Sequence, residues 1–293
     1  MDMPSTKPFR DRIKELKAEY DSLRKGKDSL LKLIDEAELS ESVFNSNAIE
    51  NSTLTLQETE KILLDLEVSR NVSVREIFEA KNLGRVMEYV ENKSRDYDLN
   101  QEFILLLHQM LLGNINEKIA GRFRQTGEYV RVGSHIAPSP EDVERMIEEI
   151  LTEYHSNTEL YFADKIAKFH LDFEVIHPFC DGNGRIGRVL INYQLLRLGF
   201  PMIIIRDKER KIYFSAFDHY KKKNPRTMEK IITLSLMESL HKRVAYLKGE
   251  KIISLADYAR STGKSLNALI NLARRQTLAA FREKGVWKIS ENT

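Results

Sequence analysis

No part of this chain restricts its possible folds more than His177-Pro178-Phe179-Cys180-Asp181-Gly182-Asn183-Gly184-Arg185-Ile186-Gly187-Arg188, which runs directly into the apolar-periodic Val189, Leu190, Ile191, Tyr193, Leu195 and Leu196. A Gly-Asn-Gly segment ahead of a helix lets the backbone turn its amides toward one point. The helix start adds unpaired N–H groups and the positive end of its dipole. That combination makes an anion cradle suited to phosphates. Arg185 and Arg188 lie three residues apart on the first turn, so both guanidinium groups can reach one polyanion. Asp181 is a hard carboxylate of the kind that holds Mg2+ against a phosphate, and His177 titrates near neutral pH. A base, a metal ligand, an anion hole and two cationic clamps are the parts of a phosphoryl or nucleotidyl transfer site.

The stretch resembles the Fic motif, H-x-F-x-D-G-N-G-R-x-x-R, with every specified position filled. The resemblance implies transfer of AMP from ATP, with Mg2+, to a hydroxyl side chain of a target protein. His177 would be the base and Asp181 the metal ligand. Gly182, Asn183, Gly184, Arg185, Ile186, Gly187 and Arg188 would surround the nucleotide.

Further upstream, residues 42–51 read by themselves as a short helix with Phe44 and Ala48 on one face and Asn51 as its C-cap, followed by a helix capped by Thr55 with Glu58; the first of these helices ends in the segment Ser46-Asn47-Ala48-Ile49-Glu50-Asn51. It is also similar to the family's inhibitory pattern, [ST]-x-x-x-E-[GN]. That similarity implies that Glu50 pairs with Arg188, with Ser46 and Asn51 completing the motif. A carboxylate there neutralises the arginine meant for the γ-phosphate and repels that phosphate.

The rest of the chain reads as a frame for these two stretches. Residues 8–40 have the 3,4 spacing of an amphipathic helical hairpin broken at Gly26-Lys27, and 55–66, 73–94, 99–112, 139–156 and 158–176 read as further helices. Tyr129, Val130 and Val132 favour a strand, and Gly133 followed by Pro138 and Pro140 ends it, which suggests a short hairpin. Gly121-x-Phe123-Arg124 and Val132-Gly133-Ser134-His135 look like the family's flap, which borders the nucleotide and positions the target. Tyr213 and Phe214, and more weakly Lys221, match the adenine side of the family's pocket. His108 and His170 lie on apolar helix faces and read as core histidines; no metal-ligand spacing surrounds them.

Beyond Leu247-Lys248-Gly249-Glu250 the texture changes again. Ser254–Ala259 and Leu266–Arg275 read as two helices, and Leu278–Ile289 as a small β-wing turning at Lys284-Gly285. This pattern resembles winged helix-turn-helix units, which dock on DNA or on proteins. The expected fold is therefore mainly α: residues 1–54 with an inhibitory helix, a Fic core with a β-hairpin flap over 55–247, and a winged-helix-like unit over 250–293.

Composition excludes several classes. A net charge of +2 exerts no global pull toward nucleic acid, and the single cysteine, Cys180, rules out an internal disulfide framework. No apolar run approaches membrane-spanning length, so the expectation is a cytoplasmic protein with no membrane partner. Homodimer formation, a DNA-binding regulator with a nucleotide-sensing domain, and an enzyme that mainly removes AMP all stay open at this level.

Overall fold

In the computed structural model the described residues are 7–68, 71–133 and 135–293. The helices, in chain order, are α1 (Lys7–Leu23), α2 (Asp28–Ile49), α3 (Leu56–Leu63), α4 (Val74–Lys93), α5 (Gln101–Leu112), α6 (Val143–Ser156), α7 (Phe162–Ile176), α8 (Asn183–Arg197), α9 (Arg210–Lys221) and α10 (Arg226–Lys248). Two short antiparallel strands, β1 (Arg131–Val132) and β2 (His135–Ile136), pair Val132 with His135. Ser134 lies outside the described residues.

The architecture is organised around α7 and α8. Phe169, Phe173, Ile186, Val189, Leu190 and Tyr193 face one apolar core with α4, α5 and α6, while Ala163, Ile166, Leu171, Ile191 and Leu195 face a second with α1, α2, α9 and α10. A helix buried on both sides needs apolar residues all round, and α8 has them. Each such side chain contributes roughly 1.5–3 kcal/mol by leaving water. Asn192 on this helix exchanges two hydrogen bonds with the backbone of Ile203.

Helix α2 differs from the short-helix reading of residues 42–51. It runs unbroken from Asp28 to Ile49, so the Ser46–Glu50 segment is the last turn of a long helix already anchored in the second core. It stops because Asn51 takes a left-handed conformation (φ 69°). Ser52 N–H then donates to Asn47 O and Asn51 N–H to Ala48 O, a Schellman ending. Thr55 and Glu58 form the expected capping box of α3.

Residues after α10 form a small unit with its own core around Leu255, Tyr258, Leu269, Ala273 and Ile289. Its order is β3 (Ile252–Ser254), α11 (Leu255–Thr262), α12 (Leu266–Arg274), β4 (Ala280–Glu283) and β5 (Val286–Ser290), with β5 central and antiparallel to both neighbours. Lys284 and Gly285 both have positive φ (49° and 78°), as a two-residue hairpin turn requires. The strand β3 had no signal in the sequence reading; Lys251-Ile252-Ile253 is short and lacks alternation. Among the described residues no helix is long and apolar enough to cross a membrane.

Candidate active site

The site lies where α7 ends and α8 begins. Helix α7 stops at His177, which adopts a left-handed conformation (φ 50°, ψ 62°) that costs a non-glycine residue roughly 1–2 kcal/mol. Arg124, buried beside it, holds this ending. Its guanidinium donates to the carbonyls of His177 (2.8 Å), Ile176 (3.2 Å), Pro138 (2.9 Å) and Glu128 (3.1 Å), and its amide donates to Pro178 O (2.9 Å). By sequence alone Arg124 belongs to the flap. The structure makes it the peg that joins the flap's base to the end of α7.

The loop to α8 is fixed from within. Phe179 is fully buried and stacks on His108 at 3.7 Å between ring centroids. Asn183 accepts from Phe179 N–H (2.9 Å) and donates to Phe179 O (2.8 Å). His108 is the core histidine expected, and it has a second task. Gly121 N–H donates to its Nδ1 (3.1 Å), so the proton sits on Nε2, which donates to Asp181 O (3.1 Å). Burial lowers the pKa of His108 to about 4, which keeps that tautomer neutral. Asn183→Ala leaves the Phe179 amide and carbonyl unpaired in the core, and we expect a loss of about 2–3 kcal/mol, measurable by urea unfolding.

Helix α8 opens with Gly182 at φ 83°, where a β-carbon would meet Leu111 at 3.0 Å and Leu112 at 3.1 Å. Its own hydrogen-bond ladder begins with Ile186 N–H to Gly182 O, leaving the amides of Asn183, Gly184 and Arg185 at the open end. Ile186 itself is wholly buried in the first core, so its side chain is packing rather than pocket lining.

The two motif arginines diverge. Arg185 donates to Asp181 Oδ1 (2.9 Å) and lies 3.3 Å from Glu79 of α4, while Arg75 of α4 donates to Asp181 Oδ2 (2.6 Å). Arg188 turns the other way, toward α2. Its Nε donates to Ser46 Oγ (2.9 Å), and its Nη2 donates to Ser46 O (2.8 Å) and to Glu50 Oε1 (2.9 Å). The expected convergence on one point is therefore absent here, because each guanidinium has an acidic partner on a different helix. Glu50 Oε1 also presses on the cradle: a β-carbon at Gly184 would sit 2.2 Å from it. Asn51, just past the helix end, accepts from Arg210 Nη2 (2.7 Å).

Behind Arg188 is a set of buried groups. Tyr213 is buried, and its hydroxyl lies 2.9 Å from His170 Nε2 and 3.3 Å from Arg188 Nη1. Phe214 is part-exposed next to it, with the Arg210 guanidinium 5.3 Å above its ring. Lys221 ends α9 and is paired with Asp218 (3.1 Å) at the surface, away from this cluster. On the flap, Val132 is exposed, Gly133 turns the hairpin at φ 58°, and His135 Nε2 lies 2.9 Å from Val175 O, tying the hairpin to α7.

Glu174, one turn before His177, was not anticipated. Its Oε2 is 3.8 Å from His177 Nδ1, and its Oε1 is buried without a hydrogen-bond partner against the space over Gly187. Burial first, then the nearby Glu50 charge, raises its pKa to about 8. The pattern that would have flagged it is a glutamate facing inward on an apolar helix, three residues ahead of a motif histidine. Burial likewise lowers His177 to about 4 and His170 to about 3.

These shifts set opposite slopes. Glu174 holds its proton in the folded state but releases it above about pH 4.5 when unfolded, so stability falls as pH rises from about 4.5 to 8. The three histidines are neutral when folded and protonated below about pH 6.5 when unfolded, so stability also falls as pH drops from about 6.5 to 4. Glu174→Gln should therefore stabilise the protein more at pH 8 than at pH 6, by up to about 1.4 kcal/mol per pH unit. Denaturation midpoints at the two values test this.

Residues 98–195 match the family model described as the Fic/DOC family. The chain is 32% identical over 208 residues to protein adenylyltransferase Fic of Nematostella vectensis, covering 70% of this chain and 48% of that protein. It is 34% identical over 176 residues to protein adenylyltransferase Fic of Drosophila melanogaster, covering 59% of this chain and 35% of that one. The chain thus spans about half the length of the first relative and about a third of the second. The crystal structure of a Fic domain containing signaling protein from Bacteroides thetaiotaomicron matches with a TM-score of 0.73 at 26% identity, over 82% of this chain and 98% of that one. Residues 98–195 thus match a Fic domain, and the complete motif within them folds as the junction of α7 and α8 in a helical frame similar to that of such proteins.

Proposed function

We propose that the chain transfers AMP from ATP to a hydroxyl side chain of a target protein, and that Glu50 restrains the transfer. The observation that carries this reading is the position of Glu50 Oε1, a carboxylate oxygen lodged against Gly184 at the helix start and bonded to Arg188 at 2.9 Å. The protein's own anion occupies the place that an anion cradle offers to a phosphate.

In the reaction, the target oxygen attacks the α-phosphorus, its O–P bond forms, and the bond from that phosphorus to the bridging oxygen breaks, so pyrophosphate leaves with the electron pair. His177 takes the hydroxyl proton. Its depressed pKa keeps the imidazole neutral at pH 7, so a ring nitrogen can accept the proton. The amides at the start of α8 stabilise the phosphate oxygens. Arg188, once released by Glu50, holds the γ-phosphate, and Tyr213 supports that guanidinium from behind. Asp181 is the residue that would hold Mg2+. A single carboxylate beside a phosphate cradle is the usual protein share for that ion, and the two oxygens of Asp181 already accept from the guanidinium groups of Arg75 and Arg185. Held by Asp181, Mg2+ would supply positive charge beside the phosphate oxygens.

Mass spectrometry after incubating the Glu50→Gly protein with Mg-ATP and a cell lysate tests the proposal. Adenylate on a serine, threonine or tyrosine, lost with His177→Ala, is the expected result. Unmodified proteins throughout would overturn it.

A further inference from the structure

The contact between the C-terminal unit and α2 serves a purpose that the chemistry above leaves open. The turn joining β4 to β5 presents two successive amides in left-handed conformations, an arrangement that binds anions. Its occupant is Glu41 of α2. Lys284 N–H donates to Glu41 Oε2 (3.0 Å) and Gly285 N–H to Glu41 Oε1 (3.1 Å). Arg206, on the segment leading to α9, pairs with the same carboxylate and with Glu238 of α10 (3.1 Å). Arg282 of β4 grips Glu238 through its main-chain amide and its guanidinium, and reaches Glu209 (2.8 Å). Glu41, Arg206 and Glu238 are each less than a tenth exposed, so these are desolvated contacts rather than loose surface pairs. Asn45, one turn beyond Glu41, accepts from Asp207 N–H (3.0 Å), extending the grip to the residue before Ser46.

We propose that Glu41 is a positioning residue through which the β4–β5 turn holds the end of α2 over Arg188, so that the C-terminal unit sets how firmly Glu50 occupies the site. The proposal deepens the restraint by Glu50 argued above and rests on it. The physical need is plain. Glu50 caps the C-terminal, negative end of a helix, where a carboxylate is disfavoured. Arg188 offsets that locally, and the anchored Glu41 keeps the whole last section of α2 from withdrawing. A partner that takes the Lys284–Gly285 turn must break both amide contacts, so engagement of that turn and restraint by Glu50 exclude one another.

The test uses the full chain with Glu41→Gln, which keeps the shape and removes the charge, and with Gly285→Val, which strains the turn from the other side. Two readouts are needed: amide hydrogen exchange over residues 45–52, and labelling from α-labelled ATP. Glu41→Gln should quicken exchange and raise labelling severalfold, with no added effect in a Glu50→Gly background, because the restraint it relaxes is already gone. If Glu50→Gly raises labelling while Glu41→Gln and Gly285→Val leave labelling and exchange unchanged, the anchor is overturned and the role of Glu50 stands. If Glu50→Gly has no effect on labelling, the reading of Glu50 fails, and exchange over 45–52 still decides whether Glu41 holds α2. Should one variant not fold, the other decides alone.

Discussion

Glu50→Gly is expected to raise labelling by roughly tenfold or more, since a like charge facing the γ-phosphate costs several kcal/mol and each 1.4 kcal/mol is a factor of ten. The substitution removes the carboxylate lying against Gly184 and frees the Arg188 guanidinium from its 2.9 Å partner. It leaves the two Ser46 contacts in place, so the arginine stays oriented. Arg188→Ala should lower labelling, and the double variant should stay as low as Arg188→Ala alone, because relieving the restraint cannot help once the clamp is gone. Additive effects, with the double variant recovering part of the gain, would separate Glu50 from Arg188. Labelling of purified protein at fixed Mg-ATP, quantified for the four proteins, measures the cycle.

His177→Ala should abolish labelling, by about 10²–10⁴ if its role is that of a general base. The fold should tolerate the change. The α7 ending is held through main-chain carbonyls by Arg124, and the His177 side chain is not part of either apolar core. Alanine at φ 50° bears a strain similar to that already present. Nucleotide binding should also persist, since the cradle amides belong to α8 and the clamp to Arg188. Retained labelling within about tenfold of the parent would remove His177 from the role.

Much of this site was legible because the motif is local. Gly182, Asn183 and Gly184 adjoin the start of α8 in both sequence and space, and the Schellman ending at Asn51 follows from an asparagine where a left-handed residue is needed. The pairing of Glu50 with Arg188 spans 138 residues and was legible only through the family's pattern, since nothing in helix periodicity brings those segments together. What stayed hidden depends on long-range packing. Arg75 and Glu79 look like ordinary surface charges of α4 until the fold sets them beside Asp181 and Arg185. Glu174 looks like one more helix glutamate until burial withholds a partner for Oε1. The long run of α2 through residue 49 was obscured because the apolar spacing near Phe44 suits either a short or a continuing helix, and the second core decides for the latter.

Which part of the nucleotide reaches the target protein is read by labelling ATP at two positions. The Glu50→Gly protein is incubated with Mg2+ and ATP labelled either at the α-phosphorus or at the γ-phosphorus, and protein-bound label is counted. Label on protein is expected from the α position alone, dependent on His177, with the γ label recovered in pyrophosphate. Protein-bound label from the γ position, or label from the α position that survives His177→Ala, would contradict it.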